Sequence, residues 1–109
     1  MNIIICGAGK VGFSISKQLS AQGHSITVID QSSDDIKKIN ETQEVKGVVG
    51  RATFPQVLEN SGAATTDMII AVTKNDETNM IICQLAHSLF SINKKIARIR
   101  SKEFLDGKW

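Results

Sequence analysis

The sequence has 109 residues, 41% of them hydrophobic and 22% charged, with 13 basic and 11 acidic side chains. That length gives one domain, and those fractions exclude disordered, collagenous and coiled-coil chains. A formal charge of +2 is too small for a nucleic-acid footprint, and apolar runs of about five residues hold neither a membrane span nor a secretory core.

The first predicted strand, Asn2 to Cys6, runs directly into Gly7-Ala8-Gly9-Lys10-Val11-Gly12. A helix follows, with Val11, Ile15 and Leu19 on one face and Gly23 at its end. Phe13 lies off that face and is expected to point outward. The second strand, Ser25 to Asp30, leads into a helix over Ser32 to Asn40. Its Ser32, Ser33, Asp34 and Asp35 suit the N-terminus, and Lys37 and Lys38 suit the other end. The third strand is Val45 to Val49. The helix after it has Thr53 as expected cap, Pro55 in its first turn and Gly62 just past its end.

The fourth strand, Asp67 to Thr73, precedes a helix from about Asn75 to Phe90. The apolar residues of that helix cover more than half its circumference, whereas one sheet contact needs a stripe of about 100°. A neighbouring helix or another subunit is expected to cover the excess. The fifth strand, Lys95 to Arg100, carries Arg98 and Arg100 on one face. All five strands read as continuous apolar runs, which suits parallel strands covered on both faces. Strict alternation with helices predicts an α/β doubly wound, Rossmann-like parallel sheet in the order 3-2-1-4-5. A sixth strand, usual in dinucleotide folds, is missing, so residues 1–109 read as a single domain of a longer protein. Cys6 and Cys83 sit in apolar runs with no secretory context. They are expected to be buried free thiols of a cytosolic domain.

The glycine loop is weak evidence alone, but its place between strand and helix is that of a dinucleotide fingerprint. Gly7 makes the tight turn, Gly9 admits a pyrophosphate, and Gly12 lets helix and strand pack closely. The helix start offers N–H groups and partial positive charge to phosphates. Asp30 lies at the end of strand two, about twenty residues past the loop, where an acid meets ribose hydroxyls and repels a 2′-phosphate. NAD(H) is therefore expected over NADP(H). Lys10 reads either as a solvated helix-start lysine or as a contact to a terminal phosphate. Ligands of such sheets sit beyond the carboxyl ends of the strands. That adds Gln31, Arg51, Ala52, Thr73, Lys74 and Arg98 to the candidate site. Arg51 is expected on adenine or phosphate.

Catalytic equipment is not legible. His24 enters strand two at the opposite edge, and His87 lies on a polar stripe with Gln84, Ser88 and Ser91. No zinc spacing or nucleophile–base pair appears, so binding without chemistry is the reading. A small or fragmentary NAD-dependent oxidoreductase is the alternative.

Ile3 to Gly12, Ile26 to Asp30, Ala71-Val72-Thr73-Lys74-Asn75-Asp76-Glu77-Thr78-Asn79-Met80 and Ile96 to Ser101 together resemble a known family. It is the N-terminal nucleotide-binding domain of the Trk potassium-uptake peripheral proteins, in the KTN/RCK group that regulates K⁺ channels and transporters. The resemblance implies NAD⁺ or NADH as ligand, with ATP or ADP in related members. It carries nucleotide contacts onto Gly7 to Val11, Asp30, Thr73, Lys74 and Arg98. Arg51 departs from the family pattern, in which an acid commonly follows strand three. Lys10 stands where relatives present a basic residue to phosphates, so both ligand classes stay open. The resemblance further implies a membrane K⁺ transporter subunit as partner, assembly into homodimers or larger rings, no nucleic acid, and a cytoplasmic position at the inner membrane face.

Overall fold

The computed structural model describes residues 1–107. Five strands form one parallel sheet in the order β3-β2-β1-β4-β5. They are β1 (Asn2–Cys6), β2 (Ser25–Asp30), β3 (Lys46–Val49), β4 (Met68–Ala71) and β5 (Lys94–Ala97). Between them lie α1 (Lys10–Ala21), α2 (Ser33–Thr42), α3 (Pro55–Asn60) with a 3₁₀ turn at Ala63–Thr65, and α4 (Asp76–Phe90). The doubly wound architecture and the strand order match the expectation from sequence. Among the described residues, no helix is long and apolar enough to cross a membrane.

The period of two along β1 explains its unbroken apolar run. Ile3 and Ile5 face a core with Ile26, Val28, Ile36 and Ile39, on the side of α1 and α2. Ile4 and Cys6 face the opposite core, with Leu58, Ile69, Ile82 and Ala86, on the side of α3 and α4. A central parallel strand has no solvent face, so both sets must be apolar. The edge strands differ. Lys46, Val49, Lys94 and Ile96 are exposed, and lysine at an edge discourages further strand pairing.

Side chains cap α2, as the sequence suggests at Ser32, and also α4. The Asp35 N–H donates to Ser32 Oγ at 3.2 Å, and the Thr78 N–H to Asn75 Oδ1 at 2.7 Å. Each side chain thereby takes one of the donors that a helix start leaves without an internal partner. The α4–β5 connection turns at Ser91, whose φ of 51° is left-handed.

Several expectations are corrected. Thr53 does not cap α3; the N-cap is Phe54, without a side-chain bond, because the Phe54 N–H closes a turn onto Arg51 O at 3.0 Å and moves the helix start one residue on. Phe13 is half-buried rather than outward, packed against the α1–α2 core, with Lys38 Nζ 5.2 Å from its ring centroid. Cys83 is only half-buried, while Cys6 is fully buried. Burial holds the Cys6 thiol well above the ordinary range for cysteine and raises Cys83 as well.

Strands β4 and β5 end earlier than predicted, before Thr73 and Arg98. The cause lies in α4, whose side chains take over the backbone groups that a longer ladder would pair. Asn79 accepts from the Thr73 N–H and donates to the Arg98 carbonyl. Asp76 accepts from the N–H groups of Arg100 and Ser101. The chain is thus drawn off the sheet into α5 (Lys102–Leu105), a short helix the sequence did not reveal, capped by Ser101.

Candidate functional site

The cleft opens at the carboxyl ends of the strands, where β1 pairs with β2 on one side and β4 on the other. Chain direction therefore diverges there, with α1 on one face and α4 on the other, which leaves a crevice above the sheet. It has two connected halves. One, of about 570 Å³, is lined by Gly7, Asp30, Gln31, Arg51, Ala52 and Thr73. The other, of about 660 Å³, is lined by Ala8, Lys10, Val11 and Arg98 among others. Gly9, Asp35, Val72 and Lys74 line both. Of the thirteen sequence candidates, all but Gly12 face this crevice.

Gly12 sits behind it for a steric reason. A Cβ there would lie 1.7 Å from Gly7 O, so the helix start and the strand end are in backbone contact. Gly7 has φ +118°, and a Cβ would meet Val72 O at 2.8 Å. Gly9 differs from both. Its φ is −70°, open to any residue, and a Cβ would meet nothing within 4 Å. Neither backbone strain nor a protein neighbour requires glycine at this position. What it preserves is space on the cleft side, next to a helix start with no side-chain cap and no acid in its first turn. A phosphate group fits that cradle, since helix starts attract anions and pyrophosphate needs close backbone approach.

Asp30 closes one end. Its Oδ2 accepts from the Ala8 N–H at 2.7 Å and its Oδ1 from the Ser32 N–H at 2.8 Å. A carboxylate has about four acceptor positions, so these bonds fix its orientation and leave capacity for ribose hydroxyls. Arg51 is exposed, with its guanidinium 5.0 Å from the Phe54 ring centroid.

The opposite end is cationic. Lys10, Lys38, Lys74, Arg98 and Arg100 line it, against the single carboxylate of Asp35. Low-dielectric walls focus such a field on anions. Arg98 and Arg100 lie past the end of β5, not within it, and Arg100 is exposed. Arg98 is half-buried beside it.

Sequence reasoning missed Asn79. It is fully buried, and its amide makes four hydrogen bonds. Oδ1 accepts from the Thr73 N–H at 2.9 Å and the Thr73 hydroxyl at 2.7 Å. Nδ2 donates to Thr73 O at 3.2 Å and Arg98 O at 2.9 Å. An asparagine within the apolar stripe of a helix was the available signal, because buried polar groups demand partners. Among the described residues, no histidine or cysteine lines the cleft. His87 is exposed on α4, and His24 Nδ1 lies 3.0 Å from the Met1 amino group at the opposite edge.

Comparison with known proteins agrees with this fold. The Trk system potassium uptake protein TrkA of Azorhizobium caulinodans is 42% identical over 109 residues, which is 100% of this chain and 24% of that protein. The chain thus spans about a quarter of the length of that protein and of the TrkA proteins of Vibrio alginolyticus and Halomonas elongata. Among solved structures, the Kef CTD of Shewanella denitrificans in its AMP-bound form superimposes with a TM-score of 0.82 at 26% identity. That match covers 94% of this chain and 62% of the other. The GsuK channel bound to NAD gives a TM-score of 0.74 at 24% identity, over 85% of this chain and 17% of that one, a likeness of fold alone. The description "TrkA-N domain" belongs to the family model that matches residues 3–107, and this chain is a member of that family.

Proposed function

We propose that this domain binds NAD⁺ or NADH and regulates a potassium-uptake system by passing a change of shape to a separate membrane K⁺ transporter subunit. The observation that carries the reading is Gly9, whose open Cβ direction keeps a phosphate-sized cradle between the start of α1 and the anchored carboxylate of Asp30. The N–H groups of the glycine loop would hold the phosphates, Asp30 the adenosine ribose, and Gln31, Arg51 and Ala52 the adenine edge. Thr73, Lys74 and Arg98 line the far wall. When bound, the dinucleotide supplies a redox state, since its two forms differ by a hydride.

The domain is read as a binding module, not an enzyme: family membership and the names of its relatives point to potassium uptake. Regulation demands differential affinity. A ligand moves a transporter only if it binds one arrangement of the assembled domains better than another. Homo-oligomers docked at the cytoplasmic face of the membrane would provide such arrangements.

A second ligand class is favoured by one observation, the cationic half of the cleft, which suits the polyphosphate of ATP or ADP. A thermal-shift titration with NADH, NAD⁺, NADPH, ATP and ADP separates the readings. Ligand at a hundredfold above Kd adds about 2.7 kcal/mol. NADH stabilising and NADPH failing supports the redox reading, whereas ATP alone stabilising transfers the role to energy charge. No shift with any nucleotide overturns both.

A further inference from the structure

The geometry points to Asn79 as a positioning residue that sets the far wall of the cleft for the part of the ligand beyond its first phosphate, without touching that ligand. This inference rests on the nucleotide-binding reading above. The amide links two cleft-lining residues on different strand ends. Thr73 follows β4 and is held through its N–H, hydroxyl and carbonyl, while Arg98 follows β5 and is held through its carbonyl. Backbone donor on one side and backbone carbonyl on the other fix which way the amide faces. Both of its ends are saturated, and the group is wholly buried, so no water can substitute for a lost bond without opening the wall.

A second clasp reinforces the first one turn earlier on α4. Asp76 Oδ1 accepts from the Arg100 N–H at 3.0 Å, and its Oδ2 from the Ser101 N–H at 2.7 Å. The Arg98 N–H still donates to Ala71 O of β4 at 2.9 Å, but its carbonyl and the N–H groups of Arg100 and Ser101 are held by α4. Displacing the Asn79 amide moves Thr73 and Arg98 apart, while Asp30 and the glycine loop, tied to each other by the Ala8 N–H, stay in place.

The prediction is selective. Asn79→Asp keeps the acceptor toward Thr73 but presents an oxygen to the Arg98 carbonyl, so that link repels. NADH affinity should fall tenfold or more, while AMP, which ends at the glycine-loop phosphate, should change less than threefold. Ile3→Val, a core change at the far end of β1, should alter neither by more than twofold while lowering the melting temperature. Equal losses for NADH and AMP would reduce Asn79 to a structural role and overturn the inference, as would unchanged NADH binding. If Asn79→Asp does not fold, hydrogen exchange on the unmutated domain decides. NADH should slow exchange at the Thr73 N–H and the Asn79 side-chain amide, AMP should not, and identical effects of the two would overturn the inference. If the unmutated domain binds neither nucleotide, the nucleotide reading itself fails and this inference falls with it. Binding by that domain with an indifferent Asn79 variant removes the inference alone.

Discussion

The Asp30 carboxylate accepts the Ala8 N–H at 2.7 Å, which makes the acid at the end of β2 and the glycine loop at the end of β1 one unit. The acid orients the loop, and in the proposed function it also offers acceptors to a ribose. Asp30→Ala should weaken NADH binding by about tenfold or more and abolish discrimination against NADPH, since a charged acceptor and a repulsive charge are both lost. It should also lower stability by about 1–3 kcal/mol, because two backbone N–H groups lose their acceptor. Isothermal titration and urea melts of the same variant check both statements.

Two glycines five and two residues apart from Gly7 should respond in opposite ways to the same substitution. Gly12→Ala places a methyl 1.7 Å from Gly7 O, and overpacking against backbone should cost about 3 kcal/mol or more, visible in a melt without ligand. Gly9→Ala meets no protein atom within 4 Å and should change the unliganded melt by less than about 1 kcal/mol. Its methyl fills the cradle, so nucleotide affinity should drop at least tenfold. Loss of stability in Gly9→Ala with unchanged affinity would remove the cradle from the site.

Thiol chemistry should report burial directly. Cys6 is fully buried with its pKa raised by desolvation and, secondarily, by Cys83; Cys83 is half-buried and raised by the same main cause. A thiol reagent should modify Cys83 slowly and Cys6 only on unfolding. The linked effect on stability has a definite sign. The folded Cys6 thiol keeps its proton above pH 9.0, where an unfolded thiol loses it. Stability should be level in this respect below that pH and decline above it, by up to about 1.4 kcal/mol per pH unit from Cys6. Melts of Cys6→Ala and of the unmutated domain from pH 8 to 10.5 should converge if this is correct.

The Asp76 clasp should control the segment after β5. Asp76→Ala leaves the N–H groups of Arg100 and Ser101 without their acceptor, and α5 has no buried residue to hold it in place. The expected cost is about 1–2 kcal/mol, with faster amide exchange confined to residues 100–105. Exchange faster throughout the sheet would mean that the clasp supports the whole domain.

Most of the fold was legible because its signals are local. The continuous run at Ile3 to Cys6, the Ser32 cap and the glycines at helix ends each follow from neighbouring residues. The near half of the cleft was legible for the same reason, as Gly7 to Gly12 and Asp30 are motif positions at strand ends. The far half depends on contacts across the chain. Nothing near Arg98 announces that Asn79, nineteen residues earlier, takes its carbonyl, so β5 was drawn too long and Arg98 was placed inside it. Phe13 was misplaced because a helix wheel weighs one face, whereas α2 supplies a second surface, with Lys38 above the ring.

Strand order has a consequence for how the protein comes to exist. The pairing that opens the crevice sets Ile3 beside Met68, so the first half of the chain owns the glycine loop, Asp30 and Arg51 but only one wall. A nascent polypeptide can zip β1, β2 and β3 side by side as it emerges, each pairing with a recent neighbour. The other wall must then thread β4 against the strand made first, a distant closure of the kind that slows folding. The crevice therefore stays open on one side until β4 has paired with β1, and a chain that stops short of Met68 holds a single wall.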